Sequence, residues 1–156
     1  MLNLNIPGAA PLELEHLVLD YNGTLALDGD IIDGVEWRLQ ALSETFSIHL
    51  ITADTFDTVV DAWSSLPCRV SIVPPSEQHI AKRDYVRELG ASRVVAVGNG
   101  RNDALMLAEA ALGIAVIQGE GAAREAVLAA DVIVPDIIAA LDLLANPLRL
   151  TATLRT

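Results

Sequence analysis

Lysine is almost missing from this chain: of ten basic residues nine are arginine, and Lys82 is the sole lysine. Cysteine is equally scarce. A single one, Cys68, cannot form an internal disulfide, which fits a reducing cytoplasm. Aromatic residues make up only 4%, so the core must be built from Ala, Val, Leu and Ile. Basic charge is outweighed by 21 acidic residues, for a net charge of −11, and no Lys/Arg-rich run offsets it. Such a field repels nucleic acid and anionic membrane surfaces, and chemistry on a phosphate would need a metal ion or a placed cation. No apolar run approaches the roughly 18 residues of a membrane span, and the first residues lack the basic start of a signal peptide. The expectation is a soluble, cytoplasmic chain without nucleic-acid or membrane partners.

What is abundant is aliphatic: 52% of the 156 residues are apolar, in a length typical of one domain. Six short apolar runs recur, at His16–Asp20, Ser47–Thr52, Arg69–Val73, Arg93–Val97, Leu112–Ile117 and Asp131–Val134. Helical spacing fills the intervals Gly34–Thr45, Phe56–Leu66, Ser76–Leu89, Asp103–Ala111, Ala122–Ala130 and Asp136–Leu144. This alternation predicts an α/β fold: a single doubly wound, Rossmann-like, mostly parallel sheet of about six strands with helices on both faces. Gly90 closes the third helix, Gly113 lies just past the fourth, and Pro67, Pro74, Pro75 and Pro135 punctuate loops. Residues 1–13 suit an edge strand or hairpin, and the tail from Pro147 reads as a short extension. There is no internal repeat and no low-complexity linker.

Four features fall at the carboxyl ends of these strands or in the helix that follows. They are Asp20-Tyr21-Asn22-Gly23-Thr24, Ile51-Thr52-Ala53-Asp54, Lys82, and Gly98-Asn99-Gly100-Arg101-Asn102-Asp103. Each alone has a plainer reading: a turn aspartate, a Thr-x-Asp helix cap, a solvated lysine, a Gly/Asn loop. As a dinucleotide fingerprint the last fails, because Asp103 stands where a third glycine belongs. In this order and spacing, coincidence is a poor account of all four.

The ordered set resembles the haloacid dehalogenase superfamily of phosphohydrolases over residues 16–134. The resemblance implies that Asp20 is the aspartate that becomes phosphorylated and that Thr52 binds the phosphoryl group with Ala53. Lys82 neutralises nucleophile and phosphate, and Asn99 and Asp103 fall on the acidic positions that hold Mg²⁺. The segment from Val97 to Ala104 is also similar to the phosphorylation domain of P-type ATPases. The physics agrees, because a carboxylate attacks a phosphoryl group only when the negative charge is offset. Mg²⁺ on Asp20, Asn22, Asn99 and Asp103, with Lys82 and the backbone N–H groups of the Tyr21–Gly23–Thr24 turn, would supply the offset. Asp54 and Asn102 complete the surroundings, Asp54 as an orienting residue of its loop.

The chain departs from the family in three ways. Asn22 replaces a second aspartate that would protonate the leaving group, a contribution of roughly 10²–10⁴-fold in rate. Slow turnover, a persistent phospho-Asp20 and a preference for good leaving groups are expected. Asn99 replaces an acid and weakens the metal site. Neither residues 25–46 nor residues 67–81 can house a cap domain, so a large substrate or another subunit of a homo-oligomer would cover the site. The expected substrate is a phosphorylated small molecule or protein. The rival reading is a catalytically impaired regulatory or phosphate-binding module acting through protein contacts; a receiver-type phospho-acceptor is a weaker third.

Other residues carry less. Trp37 and Trp63 suit core or interface positions, Cys68 a small buried hydrophobe, and His79 the surface. His16, His49 and His79 lack metal-ligand spacing. Gly119-Glu120-Gly121 reads as a helix-entry loop within reach of substrate.

Overall fold

The run Leu17-Val18-Leu19 forms the middle of strand β3 (His16–Asp20) and has no exposure at all. It owes this to neighbours on both edges and helices on both faces. The computed structural model describes residues 1–53, 63 and 66–156. In chain order its strands are β1 (Leu2–Leu4), β2 (Leu12–Leu14), β3, β4 (Ala26–Leu27), β5 (Asp30–Ile31), β6 (Ser47–Thr52), β7 (Cys68–Ile72), β8 (Val94–Gly98), β9 (Leu112–Val116) and β10 (Val132–Val134). The helices are α1 (Val35–Leu42), α2 (Gln78–Glu88), α3 (Ala104–Glu109), α4 (Arg124–Ala129), α5 (Ile137–Ala145) and α6 (Pro147–Leu154).

Six strands form one parallel sheet in the order β10-β9-β8-β3-β6-β7, the doubly wound α/β architecture that the alternating pattern predicts. Strand periodicity sends Leu17 and Leu19 to one face and Val18 to the other, and the two faces differ in the size of what they bury. One face packs large side chains, such as Leu39, Leu50, Leu141 and Leu144, under α1, α5 and α6. The other packs Val18, Ala96, Ala115 and Ala126 with Met106 and Leu107 against α2, α3 and α4.

Several boundaries shift for local reasons. The strand expected at 69–73 spans Cys68–Ile72, although the Val73 N–H still donates to Thr52 O (2.8 Å). The strand expected from Arg93 begins at Val94 because residues 91–93 make a 3₁₀ turn, and a second such turn at 101–103 delays α3 to Ala104. Gly113 lies past α3, as expected, and inside β9. The tail from Pro147 is the helix α6, anchored by the buried Leu150. The helix expected over 56–66 lies outside the described residues.

Residues 1–14 form a separate antiparallel hairpin, with Leu2 opposite Leu14. A second hairpin, β4–β5, turns at Asp28 and Gly29, both at positive φ (53° and 91°), the two-residue turn that Asp-Gly favours. Only this hairpin and α1 separate β3 from β6, and only residues 53–67 separate β6 from β7. Among the described residues, no cap domain is evident. Among the described residues, no single helix is long and apolar enough to cross a membrane.

Candidate active site

Because β3 sits in mid-sheet, its carboxyl end is flanked by those of β6 and β8, and three loops converge there. Asp20, Asn22, Thr52, Ala53, Lys82, Asn99 and Asn102 line one cavity of about 310 Å³ together with Gln78, Gly100 and Glu120. Residues from five separate stretches of sequence thus meet around one carboxylate.

Lys82 on α2 reaches under the sheet edge to two carboxylates. Its Nζ donates to Asp20 Oδ1 (2.6 Å) and to Asp103 Oδ1 (2.7 Å), and the lysine is only 1% exposed. The second Asp103 oxygen accepts the backbone N–H groups of Asn99 (3.0 Å) and Gly100 (2.8 Å). The end of β8 must be glycine for this: a Cβ on Gly98 would lie 2.6 Å from Asp103 Oδ2. Thr24 Oγ1 donates to Asp20 Oδ2 (3.0 Å) and lies 3.3 Å from Asn99 Oδ1. Both oxygens of Asp20 are therefore held.

Charge at this centre is unbalanced, with two buried carboxylates sharing one ammonium. Burial and the nearby Asp103 charge raise the Asp20 carboxyl to about 7, against the pull of Lys82 and Thr24. Burial alone would lower the Lys82 ammonium; the attraction of Asp20 and Asp103 outweighs it and raises that group. A further cation suits the net negative charge. The candidate donors are all oxygen (Asp20, Asp103, Asn99, Asn22), a hard set that fits Mg²⁺ with several waters retained. Among the described residues, no three His, Cys, Asp or Glu side chains cluster as a metal site, so amide and backbone oxygens would complete the shell.

The sequence assignments on the nucleophile turn need adjustment. The Gly23 N–H donates to Ala26 O (2.8 Å) and that of Thr24 to Tyr21 O (3.2 Å), so these two donors are used within the turn rather than turned to phosphate. The Tyr21 ring is buried edge-to-face on Trp63, away from the cavity. Asp54 lies outside the described residues. Trp63 is buried in the core, Trp37 is 61% exposed beneath the Arg38 guanidinium, and Cys68 is half-buried against Trp63 O.

Three contacts escape sequence reasoning because they join distant residues. Gln118 clamps the nucleophile turn: its Nε2 donates to Gly23 O (2.7 Å) and Thr24 O (2.6 Å) while its Oε1 accepts from Ile137 N (2.9 Å). The Glu120 carboxylate lies over Gly23, 2.4 Å from where a Cβ would stand. Asn102 Nδ2 donates to Gln78 Oε1 (2.8 Å), bridging the loops that bound the cavity. Starting from His16 at the amino end of β3, His16, His49, Tyr85 and Ser71 form a hydrogen-bonded chain (3.2, 2.8 and 3.1 Å). Burial, with the neighbouring His16 and Arg69, lowers His49 to about 4.

No family model matches the chain. It is 46% identical over 82 residues to uncharacterized protein MJ0073 of Methanocaldococcus jannaschii, covering 50% of this chain and 88% of that protein. It is 49% identical over 39 residues to uncharacterized protein MJ0072 of the same organism, covering 25% and 89%. The 3-deoxy-D-manno-octulosonate 8-phosphate phosphatase of Moraxella catarrhalis, solved with magnesium, phosphate and KDO, superposes with a TM-score of 0.69 at 19% identity over 86% of this chain and 87% of that one. The cobalt-bound octulosonate 8-phosphate phosphatase of Haemophilus influenzae gives 0.72 at 13% identity, over 92% and 94%. A Legionella pneumophila chain described as a HAD superfamily hydrolase of subfamily III A gives 0.69 at 18% identity, over 90% and 87%.

Proposed function

The chain belongs to the family of uncharacterized protein MJ0073 and has the haloacid dehalogenase fold, and from this premise we propose that it is a divalent-metal-dependent phosphohydrolase acting through an aspartyl-phosphate on Asp20. The observation that carries the reading is the buried triad in which Lys82 joins Asp20 and Asp103 at 2.6 and 2.7 Å. Buried charge at a cavity wall is unfavourable for folding and is characteristic of sites that do chemistry.

Asp20 attacks phosphorus, and the bond from phosphorus to the leaving-group oxygen breaks, that oxygen keeping the electron pair. Lys82 and the Thr52 hydroxyl offset the charge on the transferring group. Water then attacks phosphorus, releases inorganic phosphate and regenerates the Asp20 carboxylate. Thr24 and Gln118 hold the nucleophile and its turn. A divalent cation on Asp20, Asn99, Asp103 and the Asn22 loop would supply electrostatic stabilisation of the transferring phosphoryl group. Asn22 cannot move a proton near neutral pH, so leaving groups that depart as anions are favoured.

Asn22 and Asn99 also favour the second reading, a phosphate-binding module that no longer turns over. The two separate in a Mg²⁺-dependent assay on acetyl phosphate and p-nitrophenyl phosphate. Hydrolysis abolished by Asp20→Asn is expected. Activity surviving that substitution would remove Asp20 as nucleophile, and no turnover with no beryllofluoride binding would leave the binding module. Asn22→Asp should raise turnover of alkyl phosphates by about 10²-fold or more.

A further inference from the structure

The loop of residues 117–123, between β9 and α4, is pinned along the rim of the reactive cavity. Gln118 clamps it to the carbonyls of Gly23 and Thr24. Farther along, Asn99 Nδ2 donates to Gly121 O (3.0 Å) and the Ala123 N–H donates to Asn99 O (2.8 Å). One side chain of this pinned loop is uncommitted. Glu120 lines the cavity, and its carboxylate fills the space where a Cβ on Gly23 would stand, beside the Asn99 amide. Among the described residues that carboxylate makes no ion pair and no hydrogen bond.

We propose that Glu120 is the general base for hydrolysis of the phospho-Asp20 intermediate, standing in for the acid that is missing at residue 22. The inference rests on the phosphohydrolase reading and deepens its second step. Elimination narrows the choice of base. Asp20 is esterified in the intermediate, and the Lys82 ammonium has no lone pair to accept a proton. Asp103 is fully buried, with both oxygens held by Lys82 and by backbone N–H groups. The amides of Asn22, Gln78, Asn99 and Asn102 do not take a proton near neutral pH. Among the described residues of the cavity wall, Glu120 is the carboxylate that remains. The space is small enough for it to act. At about 30 Å³ per water, a cavity of about 310 Å³ holds a phosphoryl group and a few waters, which puts a wall carboxylate within direct or one-water reach of the attacking oxygen. That oxygen bonds to phosphorus and its proton passes to a Glu120 oxygen. The bond from phosphorus to Asp20 breaks with the electron pair left on Asp20. Glu120 is exposed, so the proton returns to solvent. Departure of the leaving group gains nothing from this arrangement, because an ionised carboxylate has no proton to give, and the preference set by Asn22 stands.

The test follows rapid-quench labelling of Asp20 by radiolabelled acetyl phosphate with Mg²⁺, then loss of the label in a chase with unlabelled acetyl phosphate. Glu120→Gln should take up label at the wild-type rate, which also reports an intact fold, and lose it about 10²-fold more slowly. Glu120→Ala should be equally slow, and added formate should restore part of its rate; a free carboxylate replaces a missing base but not a missing structural contact. The Mg²⁺ concentration needed for labelling should be the same in all three proteins. A higher Mg²⁺ requirement in Glu120→Gln would make the residue a metal ligand and overturn the base. Label loss at the wild-type rate in Glu120→Gln, or a Glu120→Ala protein indifferent to formate, overturns it too, while labelling of the wild type sustains the phosphohydrolase. A wild type that neither takes up label nor hydrolyses acetyl phosphate overturns the phosphohydrolase and the base with it.

Discussion

Replacing Asp20 with asparagine should make the metal-free protein more stable even as it abolishes chemistry. In the wild type Lys82 serves two carboxylates, so one negative charge stays uncompensated in a buried cluster. Asparagine keeps an oxygen for Lys82 and leaves a one-to-one pair with Asp103. The size of the gain follows from the shift of Asp20 from 3.8 to about 7. An unfolded chain releases this proton near pH 4, whereas the folded protein holds it to about 7. Between those values the folded state binds more protons, so the Asp20 contribution to stability falls as pH rises. At about 1.36 kcal/mol per unit, the wild type is penalised by about 4 kcal/mol at pH 8 and about 2 kcal/mol at pH 5. Urea unfolding in EDTA reads this directly: with a slope near 2 kcal/mol/M, the variant midpoint should exceed the wild type's by about 2 M at pH 8 and about 1 M at pH 5. Comparing variant with wild type at each pH cancels titrating groups remote from the cluster, His49 among them. Added Mg²⁺ should stabilise the wild type and not the variant. A variant no more stable at pH 8, or a gain that grows as pH falls, would refute the charge argument.

Removing the shared cation acts in the opposite direction. Lys82→Met leaves two buried carboxylates facing each other and should destabilise the protein by about 3–5 kcal/mol in urea unfolding, with activity lost. Gln118→Ala frees the nucleophile turn from β9 and should lower kcat on acetyl phosphate by about 10²-fold with little change in KM, since small displacements of a reacting group are expensive. The buried His49 is held neutral, with its folded pKa near 4 below the unfolded 6.5. Its contribution is present above about pH 6.5 and is lost as pH falls towards 4. His49→Phe should flatten that acid limb in thermal unfolding, and an unaltered limb would count against the assignment.

The strands His16–Asp20 and Ser47–Thr52 were legible to the residue because each is an aliphatic run that stops where a polar side chain must leave the sheet. The α/β order followed from periodicity alone, and Lys82 was conspicuous as a sole lysine. Gln118 was illegible: it lies 94 residues from Thr24, and nothing in its own surroundings marks a clamp. The same holds for the Gln78–Asn102 bridge and for the His16–His49–Tyr85 chain, whose members share no local spacing. The roles of the Gly23 and Thr24 N–H groups depended on turn geometry that composition does not encode. The α6 helix is not legible in the sequence because its anchor is one residue, Leu150, meeting a core assembled from the rest of the chain.

The unequal faces of the sheet have a consequence for how this protein can change over generations. On the side that carries α2 and α3, the buried layer relies on alanine at 96, 115 and 126. An added methyl group there is an ordinary event for a core, absorbed by a slight retreat of the covering helices. Here the helix over Ala96 and Ala115 is α3, and against α3 packs α2, which bears Lys82 in close contact with Asp20 and Asp103. The small residues of that layer thus set the spacing of a charge cluster as well as a packing density. Drift at positions remote from any ligand would be filtered by catalysis before it was filtered by folding.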